Sequence, residues 1–287
     1  LGSRFFYILQ GGLAGFFFGT SAIFIRFLPL MDPFMIGFYR LIVSSIILTI
    51  ISMVFYRTIL FETFKNRGLK ASILGVIIGG HFAAYISSVK DTTIMNATVL
   101  TNMTPVFASL FSWIFFQVKL SSKSILGISL SLIGMVVIFW GARNGEANII
   151  GDFEAVVAAL LWALYLVFGR EVRLKSHPIT IMIPIYITSS ILLLFSGFFF
   201  GNPRQPSLSE VPALLGLAIF PTTLGHTLSF SSLKGLQPYQ TAILSLLEPI
   251  VATLLAIPLF NEIPQANALI GASLIFAGIY LVLSMER

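Results

Sequence analysis

The chain has 287 residues, of which 57% are apolar and only 10% charged, a balance that cannot furnish the surface of an ordinary soluble domain. Its 28 Phe would aggregate if turned toward water, so the composition asks for lipid as solvent. The formal charge of +6 is not gathered into a basic stripe with interleaved aromatics, which argues against nucleic acid as a partner, and the absence of Cys excludes disulfides and thiolate chemistry.

Leu1, Gly2 and Ser3 read as a cloning remnant, with no cleavable signal pattern behind them. A membrane span needs about 20 predominantly apolar residues. Ten such stretches are predicted, at 5–28, 34–56, 69–89, 93–116, 124–141, 151–170, 178–201, 210–232, 238–259 and 265–284. The connectors are short, so consecutive helices run antiparallel. Span 2 carries Tyr39 and Arg40, and span 3 carries His81, Tyr85 and Ser88 before ending at Lys90. Span 4 holds Thr98, Asn102 and Ser109 around Pro105; spans 6 and 7 hold Trp162, Tyr165 and Tyr186. Span 8 holds Thr222, His226 and Ser229, and span 9 holds Thr241, Ser245 and Glu248, the last directly before Pro249.

Lys and Arg concentrate on the cytoplasmic side of membrane proteins. With the N-terminus inside, that side receives Arg4, Arg57, Lys65, Arg67, Lys70, Lys119, Lys123, Arg170, Arg173, Lys175, Lys234 and Arg287. The outer loops keep only Arg26, Lys90, Arg143 and Arg204, so both termini are expected in the cytoplasm and the chain in a cell inner membrane.

Sliding the sequence along itself by about 144 residues aligns the two halves. Ser87, Ser88 and Lys90 fall on Ser231, Ser232 and Lys234; Pro105 falls on Pro249; Gly127, Ser129 and Gly134 fall on Gly271, Ser273 and Gly278. Phe18, Gly19 and Arg26 meet Trp162, Ala163 and Arg170. Five spans per half is an odd number, so the second copy enters the membrane with opposite polarity. The fold class expected is therefore an all-α membrane protein of two inverted five-helix repeats, residues 5–141 and 151–284.

The runs AYISSVKDTTIMNATVLTNMTPVFASLFSWIFF and SFSSLKGLQPYQTAILSLLEPIVATL, followed by GISLSLIG and PLFNEIPQANALIGASLIFAG, resemble the paired EamA repeats of the drug/metabolite transporter superfamily. The likeness covers nearly the whole chain and includes Arg40, Lys90, Lys234, Pro105, Pro249 and Glu262. The first half departs from it in having Val118 where the second has Glu262, and Thr104 stands opposite Glu248. The resemblance implies a ten-helix carrier exporting or exchanging amino acids and other metabolites, with a central cavity lined chiefly by helices 3, 4, 8 and 9.

An ionisable group inside a bilayer is costly unless it faces protein or water, so Arg40 and Glu248 are the first candidates for substrate binding. Arg40 could hold a carboxylate or phosphate by paired hydrogen bonds, or tie its helix to neighbouring carbonyls. Glu248 could hold an ammonium group or carry a proton, with Pro249 loosening the ladder one turn earlier; its alternative is a structural ion pair. His81 and His226 occupy nearly equivalent places and suit proton relay or close packing equally. Thr98, Asn102 and Ser245 mark polar faces, while Tyr39, Tyr85, Trp162, Tyr165 and Tyr186 are candidate aromatic walls. Trp113 and Trp140 read as interfacial anchors, and Lys90 and Lys234 as cations at the C-terminal ends of their own helices.

Two His without convergent acids do not make a metal site, and no cofactor is expected. The expected activity is secondary transport of small organic metabolites, amino acids or related amines foremost, by alternating access, as export or exchange, with protons or a counter-substrate and as monomer or homodimer. An exchanger of an adenosyl-bearing cofactor such as S-adenosylmethionine is the alternative. A membrane-embedded enzyme is disfavoured, since there is no HExxH and no Walker-type loop.

Overall fold

The computed structural model describes residues 2–92, 94–141, 148–260 and 266–284, and no β-strand occurs among them. Among the described residues eight helical passes are long and apolar enough to cross a bilayer, and two shorter apolar stretches, Ser122–Gly134 and Leu269–Val282, lie within the fifth and tenth passes. Exposed Phe5, Phe16, Phe27, Phe55, Phe198, Phe199 and Phe200 cover the outside of the bundle, as lipid in place of water requires. Glu262, Arg143, Arg287 and the side chain of Trp140 fall outside the described residues; Trp113 points outward, more than half exposed.

The first pass is broken, α1 (Gly2–Phe18) and α2 (Ser21–Arg26) meeting at Gly19 and Thr20. Asp32 starts α3 (Pro33–Phe55), its Oδ1 accepting from the N–H of Phe34 at 2.9 Å and of Met35 at 3.3 Å, with proline in the first turn, where no donor is lost. The third pass, α4 (Arg57–Asp91), begins twelve residues earlier than the span expected at 69. Residues 57–68 contain no Pro, and Gly68 stands in open space, so nothing stops the helix there. Its 35 residues reach roughly 52 Å at 1.5 Å per residue, against about 30 Å of hydrocarbon, so the first turns project beyond the lipid core.

Proline controls the fourth and ninth passes. Each is split one turn before its proline, into α5 (Ile94–Thr101) and α6 (Thr104–Phe116) ahead of Pro105, and into α12 (Pro238–Leu244) and α13 (Leu247–Phe260) ahead of Pro249. At the second break the backbone tightens to three-residue hydrogen bonds, Ser245 to Ala242 at 3.1 Å and Glu248 to Ser245 at 2.8 Å. The eighth pass bends differently, α10 (Val211–Leu217) widening into a π-helical segment, Ala218–His226, before α11 (Thr227–Ser232). Pro221 has no N–H to give to the Leu217 carbonyl four residues back, and the Thr222 hydroxyl takes that carbonyl at 2.6 Å instead.

The fifth and tenth passes, α7 (Ser122–Gly141) and α14 (Ala266–Ser284), show the polarity of the duplication. A Cβ on Gly127 would stand 2.8 Å from the Gly278 carbonyl, and one on Gly134 would stand 2.6 Å from the Gly271 carbonyl. The repeat carries Gly127 to Gly271 and Gly134 to Gly278, so each contact is the symmetry mate of the other only if the copies run in opposite directions. The ten passes are thus two inverted repeats, closed on each other along this small-residue seam. Gly134→Ala is expected to destabilise the fold by about 1–3 kcal/mol, since a backbone carbonyl must retreat. Gly12→Ala, in α1 with nothing within 4 Å, should be neutral or better; thermal unfolding in detergent measures both.

The remaining passes are α8 (Ile149–Leu174), which Asn148 starts by accepting from Ile150 N–H at 2.9 Å, and α9 (Pro178–Phe200). Lys90 lies in the last turn of α4, as expected, and its side chain also reaches beyond its own helix. Its Nζ crosses to the carbonyls at the end of the first pass, Leu28 at 3.4 Å, Pro29 at 3.0 Å and Met31, because those acceptors have run out of helix and α4 ends beside them. Lys234, its repeat mate, is exposed.

Candidate functional site

The irregular points of the first, fourth, eighth and ninth passes meet near the middle of the bundle. Gly15 and Gly19 of the first pass let it approach the break in the ninth: a Cβ on Gly15 would collide with the Leu244 carbonyl, and one on Gly19 would lie 2.5 Å from Val251. A cavity opens beside this crossing, bounded by Phe18, Ser21, Arg40, His81, Phe82, Tyr85, Thr101, Asn102, Thr104, Trp162, His226 and Glu248. The cavity holds about 30 Å³, room for water but not for an organic solute.

Glu248 is 7% exposed and accepts from the Tyr85 hydroxyl on Oε1 at 2.8 Å and from Asn102 Nδ2 on Oε2 at 3.4 Å. Asn102 stands at the break in the fourth pass and also donates to the Thr98 carbonyl at 2.7 Å. Opposite, Arg40 is 1% exposed, with Nε donating to Thr222 Oγ1 at 2.8 Å and its guanidinium 4.5 Å above the Phe82 ring. That hydroxyl is aimed by its own bond to Leu217, so the π-helical segment places Arg40. Arg40 Nη1 is buried with no hydrogen-bond partner among the described residues, and no ion pair joins Arg40 to Glu248.

His81 Nδ1 lies 2.9 Å from the Ala158 carbonyl; a carbonyl only accepts, so Nδ1 carries the proton and a neutral ring leaves Nε2 as acceptor. His226 packs its ring against Phe18, Phe82 and Trp162 at 4.7–4.9 Å, and its Nδ1 is buried without a hydrogen-bond partner among the described residues. The two imidazoles are 6.4 Å apart. Among the described residues no group of three His, Asp or Glu could hold a metal ion.

Seven of the twelve candidate residues therefore line one cavity: Arg40, His81, Tyr85, Asn102, Trp162, His226 and Glu248. The other five stand behind or beside it. Tyr39 is turned from Arg40 by the helical step and packs on Phe38, 5.0 Å between centroids. Tyr165 is fully buried behind Trp162, its hydroxyl 3.4 Å from Met182 Sδ. Tyr186 donates to the Thr222 carbonyl at 2.8 Å and so supports the anchor of Arg40. Thr98 bonds the Ile94 carbonyl at 2.8 Å, and Ser245 gives its carbonyl to Glu248 N–H.

Phe18, Ser21, Phe82, Thr101 and Thr104 line the cavity without having been singled out as candidates. For three of them the signal was the duplication: Phe18 is the repeat mate of Trp162, Phe82 of His226 and Thr104 of Glu248. Mates that meet at one point lie on the axis relating the halves, so the cavity sits where the two copies turn about each other. Ser21 and Thr101 are in turn the repeat mates of Tyr165 and Ser245, and each flanks a backbone break.

Comparison with known proteins agrees with this architecture. An uncharacterized transporter of Archaeoglobus fulgidus is 29% identical over 282 residues, 93% of either chain. A protein of Salmonella typhimurium named a probable amino-acid metabolite efflux pump is 29% identical over 177 residues, 58% of this chain and 59% of its own. A protein solved by crystallography superposes with a TM-score of 0.82 at 19% identity over 96% of this chain and 95% of its own, a likeness of fold. The model of the EamA-like transporter family matches twice, at residues 5–140 and 149–284, once for each inverted repeat, and the chain belongs to that family.

Proposed function

We propose that this transporter carries zwitterionic amino acids or closely related amines across a cell inner membrane, by export or exchange, with both termini in the cytoplasm. One observation supports the substrate class above the others: a buried carboxylate and a buried guanidinium share one cavity with no hydrogen bond between them, and Arg40 Nη1 has no partner among the described residues. An α-ammonium group suits Glu248, an α-carboxylate suits the unused edge of Arg40, and the Phe18–Trp162 wall suits an apolar side chain. The name of the Salmonella relative agrees with this reading. Lying on the repeat axis, the cavity would open to one face and then the other as the copies rock.

The test is counterflow into sealed proteoliposomes preloaded with unlabelled amino acid. Labelled amino acid should accumulate unchanged, and equal amounts of a decarboxylated amine or a deaminated acid should compete weakly. Chemical alteration of the label in detergent would instead indicate an enzyme, and no accumulation of any zwitterion would end the substrate assignment. Arg40→Lys keeps the charge but loses the planar fork and the Nε bond to Thr222. It should weaken carboxylate-bearing substrates about tenfold while sparing amines that lack the carboxylate, read as competition constants in the same assay. Equal losses for both would make Arg40 a brace for the helix.

A further inference from the structure

A second cavity lies at the opposite end of the bundle from Lys90. Where α8 turns into α9, the projecting start of α4 crosses the turn and leaves a cleft of about 420 Å³. Glu62, Asn66 and Arg67 border it from α4, and Lys175, Ser176 and His177 border it from the turn. Its walls are tied together: Thr63 and Thr180 share a hydroxyl bond of 2.8 Å, and Arg173 Nη1 holds the Ser176 carbonyl at 2.8 Å.

Several groups here are not used by the fold. Ser176 Oγ and His177 Nδ1 are buried without a hydrogen-bond partner among the described residues. His177 occupies the N-cap position of the 23-residue α9, yet its side chain caps no N–H, so the positive end of that helix opens beside the cleft. Burial and the neighbouring Arg173 hold the His177 imidazole below its ordinary range, which keeps it neutral at pH 7. Unused donors, a helix N-terminus and two cations around a cleft of this size form a receptor for an oxyanion.

The charge narrows the ligand. The bordering Arg67 and Lys175 against Glu62 leave a net charge of +1, and Glu171, 3.9 Å from Lys175, is itself held by Lys70 at 3.1 Å, so the cleft matches a singly charged phosphodiester rather than a doubly charged phosphate. Ile59, exposed on α4, also borders the cleft, so apolar surface adjoins the charged pocket. We propose that this cleft binds a phosphodiester group, that of an anionic phospholipid headgroup at the membrane surface, and so fastens the projecting start of α4 to the turn between α8 and α9.

Native mass spectrometry of the full chain in detergent, titrated with phosphatidylglycerol, tests this. Arg67→Gln with Lys175→Gln should weaken lipid binding about tenfold or more. Arg57→Gln with Lys65→Gln, which removes the same charge outside the cleft, should leave it within twofold. Inorganic phosphate at millimolar concentration should fail to displace the lipid. Displacement by phosphate would assign the oxyanion site to a free anion and overturn the lipid. Equal binding by the wild type and the cleft variant, or equal losses in the two double variants, would overturn the site itself.

Discussion

Glu248→Gln is expected to slow counterflow by about two orders of magnitude, the 2–3 kcal/mol of one charge-assisted hydrogen bond to a bound ammonium group. The substitution is nearly isosteric, so its structural cost should be small. Glu248 accepts two hydrogen bonds, from Tyr85 at 2.8 Å and Asn102 at 3.4 Å. An amide keeps one acceptor for Tyr85, and the bond forfeited is the longer of the two. Unfolding temperature should therefore move little while transport falls, a separation that a purely structural carboxylate would not produce.

The same variant distinguishes two uses of the carboxylate. If Glu248 only carries a proton, exchange between equal pools should survive in Glu248→Gln, while accumulation driven by a pH gradient disappears. If it holds the substrate ammonium, both disappear together. The buried and unpaired state of Arg40 Nη1 favours the second, because a zwitterion needs both ends of the cavity at once. Unchanged exchange and unchanged gradient-driven uptake across a pH series would remove Glu248 from the mechanism.

Much of this arrangement was legible in the residues. Apolar runs of span length mark helices whatever their neighbours do, and a duplication with an odd number of spans dictates inversion. Arg40 and Glu248 stood out because a charge in a bilayer is seldom accidental. Rotation of each helix about its axis was less accessible. In a chain with 14% aromatic residues, Tyr39 and Tyr165 look like walls of a cavity as plausibly as Trp162 does, and only packing tells them apart. The π-helical segment was also hidden: Pro221 announces a lost donor, but whether the helix kinks or widens depends on Thr222 reaching Leu217 and on Ser44 reaching the Ala218 carbonyl at 2.8 Å. The early start of α4 is hidden in the sequence because the polar residues of 57–68 read as a connector, although no Pro among them breaks a helix.

Lys90 provides the second large effect. In the structure it binds the carbonyls of Leu28, Pro29 and Met31 and so fastens the end of the first pass to the end of the third. The repeat carries these residues to Lys234, Val172, Arg173 and Lys175. Lys234 is exposed, so one latch is made and its mate is not. In an inverted pair the opposite-facing state is reached when the copies exchange conformations, and Lys234 would then bind the carbonyls of Val172, Arg173 and Lys175 at the other end. Removing one lysine should shift the balance of states about tenfold or more toward opening at its own end, since each charge-assisted bond is worth about 1.5–3 kcal/mol. A chain without cysteine lends itself to the measurement. A single cysteine at Thr101, on the cavity wall, can be labelled from either face with an impermeant thiol reagent. Lys90→Gln should raise labelling from the Lys90 end and lower it from the other; Lys234→Gln should do the reverse, and the double variant should return toward the starting ratio. Shifts in the same direction from both single variants would show that the two lysines are not mates in one exchange, and the rocking of the copies would need another latch.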